Sequence, residues 1–524
     1  MPHVGRTRFR LTCARARLTL REMSQSTLSF FPQTPPEIVQ SSTRTEIGAR
    51  RPTFALYTLG CKVNQYDSHQ ISRTLTQRGF RRVEFRESAD LYVIDTCTVT
   101  SEADRKSRKA AARAQRNNRE AIVAVTGCAA TYARDQFLQV APNALVLSNS
   151  QKWQLPDLAI EALRARPDWD IEYSILRQQI GSEPQPTATR ERAVLKIQDG
   201  CNHKCSYCII PKVRGESVLK SRATAMREAR EFVQEGAREL TVTGVSMSDW
   251  REESDERKAM SDDSHNASSR EPERSSLRGR NAALCDLLRA VSTIEGLERV
   301  RVSSLDPADV DEEWLQTLAK TPRICPHIHL ALQSGSAATL RRMRRRYTPE
   351  MFLRAARWWR EIRPDGGLTT DIIVGFPGET DDEFAQTLQL AREARLSAIH
   401  VFPYSPRAGT VAATLPDHVA PETQKRRVAQ ILELARQSST RYASQFIGQK
   451  LAVLVENTGS CQIVEGLTPH YVKARVEIPP SNARSSTGDI VFFTPQNWNG
   501  EALEGLVSEG ETALAPREIG TQTR

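Results

Sequence analysis

Cys201, Cys205 and Cys208 stand in the run Asp199-Gly200-Cys201-Asn202-His203-Lys204-Cys205-Ser206-Tyr207-Cys208, so the chain there must close a loop around one centre. Three thiols in one loop, without a fourth, are the ligand count of an iron-sulfur cube whose remaining iron is open to an outside ligand. A catalytic zinc keeps a position free in the same way. With 10 cysteines in 524 residues, an accidental Cys-x3-Cys-x2-Cys run is expected in roughly a few chains in a thousand. The competing reading is a zinc site completed by His203 or by a remote residue.

Between about 51 and 150, short β-rich apolar runs at 54–59, 91–94, 122–125 and 144–147 alternate with helical lengths. That rhythm predicts a parallel sheet covered by helices. Open parallel sheets hold their sites beyond the carboxyl ends of the strands. Cys61, Cys97 and Cys128 each follow such an end, so one sheet edge can gather all three. The alternative is that they are small core side chains.

After the Pro-containing stretch Gly181-Ser182-Glu183-Pro184-Gln185-Pro186, six further runs lie at 193–197, 240–243, 300–303, 328–332, 368–374 and 398–402. With helices between them they predict a partial (β/α)6 barrel, with function at the strands' C-terminal ends. Gly244, Ser304, Gln333, Ser334, Asp371 and Tyr404 stand at those ends. From about 443 the pattern turns all-β, with runs at 451–455, 472–478 and 490–493 divided by turn residues. The expected class is α/β: an N-terminal parallel-sheet α/β domain at 51–180, a partial barrel at 191–440 and a small β-barrel at 443–513. Three domains suit a chain of this length.

The flanks do not suit a core. Arg6, Arg8, Arg10, Arg15, Arg17 and Arg21 precede the first acidic residue, Glu22, so residues 1–50 read as a disordered or targeting-like extension. Residues 251–280 are polar and too poor in apolar groups to offset ordering entropy, which predicts a disordered insertion. Residues 514–524 read as a tail.

The motifs Thr58-Leu59-Gly60-Cys61-Lys62-Val63-Asn64-Gln65, Val93-Ile94-Asp95-Thr96-Cys97-Thr98-Val99, Thr126-Gly127-Cys128, Leu332-Gln333-Ser334-Gly335-Ser336 and Thr370-Asp371-Ile372-Ile373-Val374-Gly375-Phe376-Pro377-Gly378-Glu379-Thr380 extend the pattern. With the Cys201 run, they resemble the radical S-adenosylmethionine methylthiotransferases over roughly residues 51 to 513. Asp95 departs from the Asn usual before Thr-Cys, and Ser246-Met247-Ser248-Asp249-Trp250 departs from a more His- and Gly-containing turn; neither removes a ligand.

The resemblance implies two [4Fe-4S] clusters, with S-adenosylmethionine chelating the open iron of the Cys201/Cys205/Cys208 cluster. Its reductive cleavage would give a deoxyadenosyl radical that abstracts hydrogen from a carbon such as adenine C2. The Cys61/Cys97/Cys128 cluster would supply sulfur and a second S-adenosylmethionine the methyl group. It further implies a TRAM-like C-terminal barrel, a cofactor pocket near Gly244, Ser304, Gln333, Ser334 and Asp371, and an electron donor such as flavodoxin or ferredoxin. The nearest branch methylthiolates threonylcarbamoyladenosine in tRNA, and the motif at 60–65 resembles it more than the isopentenyladenosine branch. A ribosomal protein side chain is the remaining alternative substrate.

A formal net charge of +10 fits an anionic partner such as tRNA, yet its placement matters more than its sum. Residues 446 to 513 are acidic in balance. The positive charge concentrates in Arg105-Lys106-Ser107-Arg108-Lys109, with Arg113, Arg116 and Arg119, and in Arg341-Arg342-Met343-Arg344-Arg345-Arg346. Lys473 and Arg475 are the candidates for RNA contact in the last region. No apolar run approaches the ~18–20 residues that span a bilayer, which excludes a membrane-crossing helix. Gly-x-Ser-x-Gly and Walker-type loops are absent, disfavouring a nucleophilic hydrolase or a P-loop enzyme. Cys13, Cys285, Cys325 and Cys461 are most simply free thiols, as a reducing cytoplasm would keep them. Oligomeric state is not encoded in these patterns.

Overall fold

The computed structural model describes residues 51–165, 191–251, 281–459, 462–478 and 486–508. The extension at 1–50, the insertion at 251–280 apart from Arg251, the tail at 514–524 and residues Cys13 and Cys461 lie outside the described residues.

The first region is a five-stranded parallel sheet of β1 (Thr53–Thr58), β2 (Arg81–Val83), β3 (Leu91–Thr96), β4 (Ile122–Gly127) and β5 (Leu145–Val146), ordered β2-β1-β3-β4-β5. Its centre, β3, is buried along its whole length, as a strand covered on both faces must be. Tyr92 and Ile94 pack on one face with Ala110, Ala111 and Ala114 of helix α2 (Ser101–Asn117). Leu91 and Val93 pack on the other with Ile71 and Leu75 of helix α1 (Lys62–Gln77). The edge strand β2 was not legible in the apolar pattern, since Arg81 and Arg82 are exposed.

The central region is an arc of parallel strands: β6 (Arg192–Lys196), β9 (Glu239–Thr243), β10 (Arg299–Val302), β11 (Ser304–Leu305), β12 (His327–Leu330), β13 (Gly367–Val374) and β14 (Ala398–Pro403). The sheets β10-β9-β6 and β11-β12-β13-β14 are continuous because β10 and β11 are one segment interrupted at Ser303. Two further short strands, β7 (Gln198–Asp199) and β8 (Val218–Leu219), pair antiparallel and clamp the base of the Cys201–Cys208 loop.

Period-2 alternation orients every strand of the arc. Leu195, Leu240, Val242, Val300, Ile328, Leu330, Leu368, Ile372 and Ile399 face the outer helices and form the main core. The residues between them, including Glu239, Arg301, His327, His329, Asp371 and His400, face the concave side. The lumen is therefore polar and the outer face apolar.

Helix Pro421–Ser444 leads to the last region, a closed barrel ordered β15-β16-β17-β19-β18. Its strands are β15 (Leu451–Thr458), β16 (Ile463–Leu467), β17 (Lys473–Glu477), β18 (Ile490–Trp498) and β19 (Leu503–Val507). β16 and β19 escaped the sequence pattern because each carries a glycine and alternates with charged residues. At Gly466 the neighbouring Leu454 carbonyl leaves no room for a Cβ.

The turn between β16 and β17 plugs the N-terminal end of the central arc. Arg299 donates to Leu467 O at 2.8 Å, Arg301 donates to Pro469 O at 3.2 Å, and Tyr471 stacks on His327 with ring centroids 4.3 Å apart. His470 pairs with Asp365 at 3.0 Å. The acidic barrel thus meets the rest of the chain by closing the floor of the lumen.

Candidate active site

The strands of the first sheet end where the pattern expected, and their ends converge. Cys61 opens α1, Cys97 follows β3, and Cys128 begins helix α3 (Cys128–Tyr132) directly after β4. The three thiols are close enough to perturb one another electrostatically. Close approach explains Gly60: with φ near +110°, an added Cβ would sit 2.8 Å from Cys97 Cβ and 3.0 Å from its sulfur. Cys61 is exposed, whereas Cys97 and Cys128 are buried. Burial pushes the Cys97 thiol up to about 12 and raises Cys128 as well. Only a metal that displaces the proton makes such buried thiols thiolates at neutral pH. Hydrogen bonds point at the sulfurs: Val99 N–H to Cys97 Sγ at 3.4 Å and Asn149 Nδ2 to Cys128 Sγ at 3.6 Å.

The second set is as compact. Cys201 N–H donates to Gly215 O and Cys208 N–H to Cys205 O, each at 3.1 Å, which winds the loop. His203 N–H points at Cys201 Sγ from 3.4 Å, and Arg345 donates to Cys205 Sγ at 3.2 Å while pairing with Asp306 at 2.8 Å. His203 directs its ring to Ser246 at 3.0 Å, which disfavours its service as a zinc ligand. Burial pushes Cys208 up to about 12. Three thiols with N–H donors aimed at sulfur fit an iron-sulfur cluster in each set. Cys285 and Cys325 are buried free thiols elsewhere.

What joins the two sets is a buried ion network that the sequence reading missed. Asp67 of α1 pairs with Lys152 at 2.6 Å and Lys196 at 2.5 Å; Asp199 pairs with Lys196 at 2.7 Å and Arg214 at 2.9 Å. All five side chains are essentially inaccessible. Burial opposes ionisation of Asp199, yet Arg214, Lys196 and Lys152 hold it well below the usual carboxylate range. Arg214 also donates to Asn64 Oδ1 at 2.9 Å, and Asn64 donates to Asp95 at 2.9 Å. Beside Cys128, Ile209 and Val213 supply an apolar contact, and Asn149 donates to Val213 O at 2.8 Å. The legible signal was positional: Asp199, Asp95 and Asn64 each lie within three residues of a cysteine.

The pocket residues expected from the sequence divide. Gly244 lies against Gln198, whose Oε1 would be 2.9 Å from an added Cβ. Ser304 is exposed. Gln333 takes φ near +61° and bridges backbone-to-backbone with Asp371 and Ile373. Ser334 is fully buried and turned to Thr387 at 3.3 Å. Asp371 faces the lumen, 3.3 Å from His329. Tyr404 keeps a buried hydroxyl without a hydrogen-bond partner among the described residues.

The arginine run at 341–346 is largely neutralised rather than lining an anion pocket. Arg342 pairs with Glu383 at 2.5 Å and Arg346 with Asp309 at 2.7 Å, while Arg345 is held by Cys205 and Asp306. On the last barrel, Lys473 pairs with Glu501 at 2.8 Å and Arg475 with Glu465 at 3.1 Å. The lumen instead contains His329 and His400, with ring centroids 6.0 Å apart, and Lys62 reaching in from α1. Burial, beside Arg301 and Arg192, pulls the Lys62 ammonium down to about 8.

Comparison with known proteins agrees with this architecture. The radical SAM superfamily is matched over residues 195–391, and the family described as "Uncharacterized protein family UPF0004" over residues 53–148. The chain is 33% identical over 430 residues to the threonylcarbamoyladenosine tRNA methylthiotransferase MtaB of Bacillus subtilis, covering 80% of this chain and 89% of that one. It is 31% identical to the protein of the same name from Thermotoga maritima, covering 80% and 90%. It is 34% identical to the tRNA-2-methylthio-N(6)-dimethylallyladenosine synthase of Syntrophotalea carbinolica, covering 78% and 89%. The chain belongs to the radical S-adenosylmethionine methylthiotransferase family.

Proposed function

We propose that the protein converts threonylcarbamoyladenosine next to the anticodon of tRNA into its 2-methylthio derivative. The observation that carries this reading is the meeting of two three-thiol centres across one buried ion network. An enzyme that only abstracts hydrogen needs one such centre.

Family membership brings S-adenosylmethionine and a [4Fe-4S] cluster, which we assign to Cys201, Cys205 and Cys208. Together they supply a radical able to take hydrogen from an unactivated carbon. Arg345 orients the Cys205 sulfur, and Gly244, Ser304, Gln333, Ser334 and Asp371 are assigned to the cofactor pocket. The lumen, closed below by the β16–β17 turn, keeps water from the reacting carbon. We assign Cys61, Cys97 and Cys128 to a second [4Fe-4S] cluster as the sulfur source. Lys152, Lys196 and Arg214 exceed Asp67 and Asp199 by one positive charge, which suits a negatively charged thiolate centre beside them.

Region 51–180 would thus present sulfur, region 191–440 the radical chemistry, and region 443–513 the floor. On α2, Lys109, Arg113 and Arg116 are exposed at helical spacing, a stripe suited to tRNA phosphates. A flavodoxin or ferredoxin would supply the electron in the cytoplasm. Among the described residues no helix is long and apolar enough to cross a membrane.

The relative from Syntrophotalea carbinolica, named for dimethylallyladenosine at comparable identity, supports a second reading in which the isopentenyl nucleoside is the substrate. Mass spectrometry of nucleosides from a deletion strain separates the two. Loss of the 2-methylthio form with accumulation of threonylcarbamoyladenosine is the expected result. Loss of the methylthio isopentenyl form instead would overturn it.

A further inference from the structure

Three neighbouring strands of the arc each present a metal-ligand side chain to the lumen. β12 carries His329, β13 carries Asp371 and β14 carries His400. Asp371 and His400 are register partners, and His329 stands opposite Thr369, two positions before Asp371. Alternation with period 2 therefore puts all three side chains on one face of the sheet. One ligand atom from each lies within 4.8 Å of the other two.

Other contacts do not use these atoms up. His329 turns Nδ1 to Thr369 Oγ1 at 2.9 Å, which leaves Nε2 facing the Asp371 carboxylate at 3.3 Å. That distance is close enough for an ion pair, yet Nε2 is buried without a hydrogen-bond partner among the described residues, so the carboxylate lies off the ring-nitrogen axis. A metal ion on that axis produces this arrangement. A tetrahedral centre with bonds of ~2.0–2.1 Å separates its ligand atoms by about 3.3–3.4 Å and holds each off the axis of the others. Among the described residues the Asp371 carboxylate has no lysine or arginine within ion-pair distance, and His400 makes no hydrogen bond. The lumen's Arg301 is taken by Glu239 at 2.9 Å.

We propose that His329, Asp371 and His400 form a divalent-metal site of the zinc class on the lumen wall, separate from both cysteine sets. Two imidazoles and a carboxylate are a three-ligand zinc set, and such sites keep one position open. Thr369 is the outer partner that fixes the His329 ring; its Oγ1 also meets His327 Nε2 at 2.9 Å, and His327 stacks on Tyr471, so the site is braced from the floor of the lumen. Zinc has no redox chemistry and does not divert an electron meant for a cluster. Its open position faces the lumen and takes an oxygen of water or of a bound molecule. Asp371 then reaches the contents of the pocket through the ion.

The test uses the full-length, cluster-loaded protein, in which the six cysteines are occupied. It is dialysed against micromolar zinc, and zinc and iron are counted together by mass spectrometry. Wild type is expected to hold about one zinc per chain at full iron content, with nitrogen and oxygen neighbours at ~2.0–2.1 Å and no sulfur at ~2.3 Å in the zinc-edge X-ray absorption spectrum. Thr369→Val should weaken zinc about 10–100-fold, the usual cost of losing an outer partner. His400→Ala, at an exposed position, and Asp371→Asn should weaken it further. His400→Cys should retain zinc and introduce one sulfur neighbour, which an unrelated surface ion would not acquire.

No zinc beyond the iron in wild type, a sulfur neighbour in wild type, or unchanged uptake in His400→Ala overturns the site. None of these readouts involves tRNA, so failure of the substrate reading above leaves them standing.

Discussion

Arg214 donates to Asn64 Oδ1 at 2.9 Å and to Asp67 at 3.2 Å, and these bonds tie the loop that holds one cysteine set to the helix that follows the other. Arg214 ends the short helix Ile210–Arg214 just beyond Cys208, while Asn64 sits one turn after Cys61. A shift of either region would therefore be felt at both centres.

Replacing Arg214 with methionine takes the guanidinium partner at 2.9 Å from Asp199 and the donor at 2.9 Å from Asn64, inside a buried network that keeps only Lys152 and Lys196 for its two carboxylates. Breaking such a network costs about 3–5 kcal/mol, to be read as a lower denaturant midpoint. Arg214→Met combined with Asp199→Asn should recover part of the loss, because the buried carboxylate that lost its guanidinium is then neutral.

The two cysteine sets should fail differently. Cys205→Ala is expected to abolish cleavage of S-adenosylmethionine, measured as deoxyadenosine release, because two thiolates do not hold the cube. Cys97→Ala should retain some cleavage and lose methylthio product. Accumulation of that product in Cys97→Ala would contradict the assignment of a sulfur source to this set.

Arg345 reaches Cys205 Sγ at 3.2 Å and Asp306 at 2.8 Å. Arg345→Gln removes a charged donor from the Cys205 sulfur, so the reduction potential of the cluster proposed there, measured by titration, should fall. Turnover is expected to drop about 10–100-fold, the usual cost of losing an outer-shell partner. Iron content near that of wild type would show that the loss is in tuning rather than assembly.

Acid should loosen the floor. Burial, followed by Arg301, holds the His327 imidazole well below its ordinary 6.5, and burial also lowers His470. The unfolded chain then binds more protons than the folded one below about pH 6.5, so this stability is full above that value and is lost as pH falls further. Melting temperatures taken from about pH 7.5 to 5.5 should decline, with a shallower decline in His327→Gln.

The cysteine loop and the strand-end positions of Cys61, Cys97 and Cys128 were legible because both depend on local spacing. The lumen was legible in principle. Arg299-Val300-Arg301-Val302 and His327-Ile328-His329-Leu330 alternate polar and apolar residues, which places the polar members on one face. An apolar-run reading registers only the other half of that pattern. The Asp67–Lys196–Asp199–Arg214 network was not legible, since its members come from distant segments and become neighbours only when α1 packs against β6. The plugging turn at 467–473 was hidden for a related reason: nothing in Thr468-Pro469-His470-Tyr471 shows that its carbonyls will meet Arg301.

Because the last region supplies the floor of the lumen, the chamber is finished late in synthesis. Tyr471 is made roughly seventy residues after β14 begins at Ala398, a delay of about 4–15 s at ~5–20 residues per second. All six cysteines have by then been translated, and the His327–Tyr471 stack does not yet exist. For that interval the polar lumen side of the nascent arc, Arg299, Arg301 and His327 included, lacks the turn that covers it in the finished fold.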